Sequence, residues 1–132
     1  METSAALLRP LIGIHVLVVD DNEDAREMLA MLLTMFGASA TSAGSVDEAM
    51  EMLRRAHFDV VLSDVHMPDE DGLCLIRRLR AEATVPVAVA LTADSDPELR
   101  DALVAAGFCR RLVKPVESAQ LVATLRESVR AA

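Results

Sequence analysis

Four short apolar runs constrain this chain more than any other feature: Val16-Leu17-Val18-Val19, Val60-Val61-Leu62, Val87-Ala88-Val89-Ala90-Leu91 and Leu112-Val113. They are continuous rather than alternating, which marks strands buried on both faces, as in parallel sheets covered by helices. Each run leads into residues equipped for phosphate or metal chemistry: Asp20-Asp21, Asp64, Thr92 and Lys114. Ligands of open α/β sheets bind just beyond the carboxyl ends of the strands. Such a fold therefore gathers three aspartates, a hydroxyl and an amine in one crevice. Lys114 is the only lysine; every other basic side chain is an arginine.

The segments between these runs have helical period. The first helix is expected over 23–35, with Ala25, Met28, Leu29, Leu32 and Phe36 facing the core and Gly37 as its C-terminal stop. Met28, Met31 and Met35 recur along it, and core filling is the expected use of such a series. Residues 38–43 can form a short second strand, and Ser45-Val46-Asp47-Glu48 opens a second helix as a capping box, burying Val46, Ala49, Met50 and Leu53. A third helix is expected over 73–79. A fourth starts from Asp96 as N-cap and Pro97, buries Leu99, Leu103 and Ala106, and ends at Gly107. The last, over 118–130, buries Leu121, Val122, Leu125 and Val129. Five strands alternate with five helices, and right-handed crossovers make a doubly wound sandwich the economical topology.

Size allows one domain and no second, and an apolar content of 52% supplies its core. A formal charge of −8 argues against binding duplex DNA through its phosphates, which requires a surplus of Lys and Arg. Cys74 and Cys109 have no metal-ligand spacing and read as buried free thiols in a reducing compartment. No apolar stretch approaches the about 18 residues of a membrane span. Residues 1–13 read as a lead-in or linker lying against a domain that occupies 14–130, and a cytoplasmic location is expected.

In a sheet of order 2-1-3-4-5, Asp20 and Asp21 at the end of the first strand neighbour Asp64 at the end of the third, at the topological switch point. Two like charges about 4 Å apart repel by roughly 4 kcal/mol at an effective dielectric of 20, so something must offset them. A hard divalent cation with oxygen ligands does so, and Mg²⁺ suits a site of few carboxylates, several waters and a phosphate. An Asp-Asp pair after a strand can equally cap the next helix; joint placement at four strand ends favours the site.

Taken together, Val16-Leu17-Val18-Val19-Asp20-Asp21, then Asp64-Val65-His66-Met67-Pro68-Asp69-Glu70-Asp71-Gly72, then Leu91-Thr92-Ala93, and finally Lys114-Pro115 resemble a receiver domain of the two-component response-regulator family. The resemblance spans essentially all of residues 14–130. It implies a flavodoxin-like (βα)5 fold, with Asp64 accepting a phosphoryl group from a phosphohistidine on a sensor histidine kinase or histidine phosphotransfer protein. It further implies Mg²⁺ held directly by Asp21, Asp64 and the backbone carbonyl of His66, with Asp20 acting chiefly through water. Thr92 and Lys114 would contact the phosphoryl oxygens, and a rearranged helix 4/strand 5/helix 5 surface would signal to an output protein or a second copy. The domain would catalyse only its own phosphorylation and dephosphorylation. The side chains of His66 and Asp94 border the family's path for hydrolytic water and are candidates to tune phosphate lifetime.

One departure concerns the readout. Many receivers carry Tyr or Phe three residues before the lysine; here that position is Arg111, and the chain has no Tyr or Trp. Arginine is costly to bury unpaired, which leaves it for a partner or dimer contact on that surface. Ala106-Gly107-Phe108 and Lys114-Pro115-Val116 resemble receivers attached to hybrid sensor kinases. Two rival readings stand beside this one. A haloacid-dehalogenase-type Mg²⁺ phosphatase also uses Asp, Thr and Lys, but its Asp-x-Asp motif follows the first strand, the reverse of the order here. A pseudo-receiver binding module would not need all five site residues.

Overall fold

A computed structural model describes residues 9–65, 72–82, 86–93 and 97–131. Five strands alternate with five helices: β1 His15–Val19, α1 Glu23–Met35, β2 Ser39–Ala43, α2 Val46–Arg55, β3 Val60–Asp64, α3 Gly72–Arg80, β4 Val87–Thr92, α4 Pro97–Ala106, β5 Arg110–Val113 and α5 Ser118–Ala131. The strands form one parallel sheet in the order β2-β1-β3-β4-β5. This is the doubly wound topology that the alternating pattern predicts and the flavodoxin-like fold that the resemblance implies.

Alternate side chains of the central strands feed two separate cores, as the period of two along a strand requires. Leu17, Val19, Val61, Ala88 and Ala90 pack with Ala49 and Met50 of α2, Leu75, Ile76 and Leu79 of α3, and Leu103 of α4. Val16, Val18, Val60, Leu62, Val89, Leu91 and Leu112 pack on the other face with Leu33 of α1 and Leu121 and Leu125 of α5. Burial on both faces explains why these strands read as unbroken apolar runs.

Local signals set the helix ends. Asn22 Oδ1 accepts from the Ala25 N–H at 2.9 Å, and Ser45 Oγ accepts from the Glu48 N–H at 3.1 Å, so each satisfies a donor at a helix start. Gly37 and Gly107 follow α1 and α4 with φ of +100° and +125°, the left-handed region that glycine enters at least cost. Asp96 and the Leu99 side chain lie outside what is described.

Three expectations need correction. Met28, Met31 and Met35 are 72%, 66% and 70% exposed, and Ala25 is exposed as well. The sequence of α1 is apolar over more than one stripe, and the sheet takes the one carrying Leu29, Leu32, Leu33 and Phe36. Leu33, fully buried, is a core residue that the spacing argument missed. Cys109 is exposed rather than buried, and Cys74 is half-buried; both are free thiols. Cys109 leads into β5, the edge of the sheet, where only one flank is covered by another strand. Before β1, residues 9–13 turn against the end of α1, with Leu11 fully buried and its N–H donating to the Phe36 carbonyl at 2.9 Å.

Candidate functional site

The register brings four strand ends to one edge of the sheet. Val19 pairs with Ser63 and Asp64 with Leu91, so the residues after β1 lie beside the end of β3. Thr92 pairs with Val113, and the Lys114 N–H donates to the Thr92 carbonyl at 2.8 Å. Lys114 is joined to Pro115 by a cis peptide bond.

Asp20, Asp21 and Asp64 each offer a carboxylate oxygen within 4.8 Å of the others. Asp20 and Asp64 are buried, at 3% and 8% exposure, whereas Asp21 is exposed. Lys114 Nζ lies 3.2 Å from Asp64 Oδ2 and 3.7 Å from Asp20 Oδ2, placing one cation against the two buried acids. Asp20 Oδ1 also accepts from the Asn22 N–H at 2.9 Å. Burial pushes the Asp20 carboxyl above its ordinary range; the charge of Asp64, and less so that of Asp21, adds to this, while the Asn22 N–H and Lys114 oppose it. Thr92 is fully buried at the end of β4. His66 and Asp94 lie outside the described residues.

The sequence reading missed Arg26. Its Nη1 reaches back from the first turn of α1 to the carbonyls of Asp20 and Asp21, at 3.3 Å and 3.4 Å. The guanidinium also lies against Gly44, where an added Cβ would approach Nη1 to 3.1 Å. The only sequence signal was an arginine near the start of a helix, where the macrodipole disfavours a cation.

Arg111 is half-buried. With Arg100 and Arg110 it lines a cavity of about 300 Å³ between α4 and β5, together with Leu103, Val104 and Phe108. The cavity lies on the surface to which the sequence assigned Arg111.

Three acidic oxygens and one ammonium meet at the switch point of a doubly wound sheet, a donor set that could hold a hard cation. The family model for the response regulator receiver domain matches residues 16–126. The chain belongs to the response regulator receiver family. Among relatives of this receiver domain, an uncharacterized 14.6 kDa protein of Leptolyngbya boryana is 37% identical over 91% of the chain and 93% of its own length. The two-component response regulator ORR21 of Oryza sativa subsp. indica is 38% identical over 83% of the chain, which spans only 16% of that longer protein. The chemotaxis response regulator CheY4 of Vibrio cholerae superposes with a TM-score of 0.81 at 31% identity, covering 87% of this receiver and 98% of CheY4. No helix among the described residues is long and apolar enough to cross a membrane.

Proposed function

We propose that Asp64 is the phosphoacceptor of a two-component or phosphorelay pathway, receiving a phosphoryl group from a phosphohistidine on a sensor histidine kinase or histidine phosphotransfer protein. The observation that carries this reading is the convergence of three carboxylates within 4.8 Å of one another, with Lys114 Nζ 3.2 Å from Asp64, in a chain of the receiver family. A carboxylate oxygen of Asp64 attacks phosphorus, the P–N bond of the donor breaks, and its electron pair returns to the imidazole nitrogen, which takes up a proton.

The donor set fits Mg²⁺: all carboxylate oxygen, with one exposed member that leaves room for water. Asp21 and Asp64 would hold the ion directly, the His66 carbonyl would be a further ligand, and Asp20 would act chiefly through water. When bound, Mg²⁺ supplies neutralisation of the acids and of the phosphoryl oxygens. Lys114 exchanges its Asp64 and Asp20 partners for a phosphoryl oxygen, and the Thr92 hydroxyl donates to another. Charge stabilisation and positioning, more than covalent chemistry from the protein, carry phosphoryl transfer. The movement of Thr92 pulls on the segment after β4, and the α4/β5/α5 surface conveys the change to an output protein, an output domain or a second copy. The domain turns over no external substrate; it catalyses only its own phosphorylation and dephosphorylation.

Incubation with Mg²⁺ and acetyl phosphate, followed by intact mass measurement, tests the assignment. The wild-type chain is expected to gain one phosphoryl group and Asp64→Asn none. Equal gain by both would refute it.

A further inference from the structure

Two of the three clustered carboxylates are fixed by their surroundings and the third is not. Asp20 and Asp64 are buried and lie within 3.7 Å of Lys114, while Asp21 is exposed. Its carboxylate nonetheless shares the cluster. One guanidinium accounts for this. The Asp20 carbonyl belongs to the peptide plane before the Asp21 Cα, and the Asp21 carbonyl to the plane after it. Arg26 Nη1 donates to both. Holding both planes fixes the backbone angles of Asp21 and hence the direction of its Cα–Cβ bond.

The placement of Arg26 has a physical cost, because a cation near a helix N-terminus opposes the macrodipole. Its backbone N–H makes the first bond of the helix, to the Asn22 carbonyl at 3.0 Å, so the guanidinium must fold back over the cap to reach the loop. Gly44 leaves room for this: a Cβ there would lie 3.1–3.5 Å from the guanidinium, which would have to give by a few tenths of an ångström. Arg26 thus bonds to the loop after β1 and lies against the loop after β2.

We infer that Arg26, seated on Gly44, is a positioning residue that aims the Asp21 carboxylate at the divalent cation. The inference rests on the phosphoacceptor reading of the crevice. It has a distinctive sign. A bare positive charge near the acids repels Mg²⁺, so a purely electrostatic role means that its removal tightens binding. A positioning role means that removal weakens it, as the loss of groups that orient metal ligands weakens affinity about 10-fold or more.

Calorimetric titration of Mg²⁺ into the whole chain, well below the thermal midpoint of each variant, decides the matter. Arg26→Gln is expected to bind about tenfold more weakly. Arg26→Lys is expected to be weaker too, because the lysine ammonium sits one bond nearer the backbone than Nη1, which itself reaches the two carbonyls only at 3.3 Å and 3.4 Å. Gly44→Ala, which keeps the arginine and displaces it slightly, is expected to lose roughly threefold, below the range for outright removal. Unchanged or tighter binding by Arg26→Gln overturns the inference, whatever its effect on the thermal midpoint. If that variant does not fold, wild-type affinity in Arg26→Lys overturns it instead. A wild-type chain that binds no Mg²⁺ overturns the phosphoacceptor reading itself, a result distinct from the other two.

Discussion

The crevice and the outer face of α1 break the usual rule of burial in opposite directions. The crevice buries charge: Asp20 and Asp64 are nearly inaccessible, yet Lys114 lies within 3.7 Å of both. The outer face exposes apolar surface in Met28, Met31 and Met35, one turn or more beyond the acid pair on the same stretch of chain. A buried charge without a counter-charge is far costlier than an exposed thioether. Substitutions in the crevice should thus have large effects on chemistry and charge-linked stability, and those on the outer face almost none on folding.

The largest effect is expected at Lys114. Lys114→Ala removes the ammonium beside two buried acids and, on the phosphoacceptor reading, beside the transferring phosphoryl group. Labelling by acetyl phosphate, followed by intact mass, is expected to slow by roughly 10²-fold, the usual loss when a charge-stabilising group is removed. An unchanged rate would break the comparison at its strong end.

Next comes the inner face of α1. Leu33 is fully buried, and Leu33→Ala should cost about 3 kcal/mol through lost burial and a residual cavity. Urea unfolding followed by far-UV circular dichroism measures this, the chain having no Trp or Tyr to report by fluorescence. A loss below about 1 kcal/mol would mean that the helix does not dock through this stripe.

Asp20 sharpens the contrast through pH. Its pKa is raised mainly by burial, so the folded chain retains a proton that the unfolded chain releases. Stability from this group falls as pH rises from the unfolded value, about 3.9, through the raised folded one, and at neutral pH the carboxylate is a net cost. Asp20→Asn is therefore expected to be more stable than wild type at pH 7 without divalent ions, each kcal/mol recovered raising Tm by roughly 4 °C. The gain should shrink as pH is lowered toward 4. A destabilised Asp20→Asn at pH 7 would show that the Lys114 contact outweighs burial.

The smallest effect belongs to the methionines. The triple variant Met28→Gln, Met31→Gln and Met35→Gln should lie within about 1 kcal/mol of wild type, as surface changes do. A larger loss in the same urea experiment would mean that the stripe is covered in solution.

Much of this was legible in the sequence because the governing interactions are local. Ser45 caps a helix through a bond to a residue three positions on, and Gly37 and Gly107 stop helices because few other residues enter their backbone region cheaply. The acid pair, Asp64, Thr92 and Lys114 could be placed in one crevice from strand endings alone, since a parallel sheet aligns carboxyl ends. Arg26 could not, because its role depends on a carbonyl pair behind it and a bare glycine on another loop.

By itself, then, the sequence determined the alternation of elements, the strands buried on both faces and the end of the sheet where chemistry can occur. All of these follow from periodicity and backbone preference within a few residues. Only the tertiary structure decided which stripe of α1 turns inward, which cysteine is exposed, which acids are buried and which cations they meet. Those outcomes depend on contacts between segments far apart in the chain, where packing against a particular neighbour selects among faces that local pattern leaves equally apolar or equally charged.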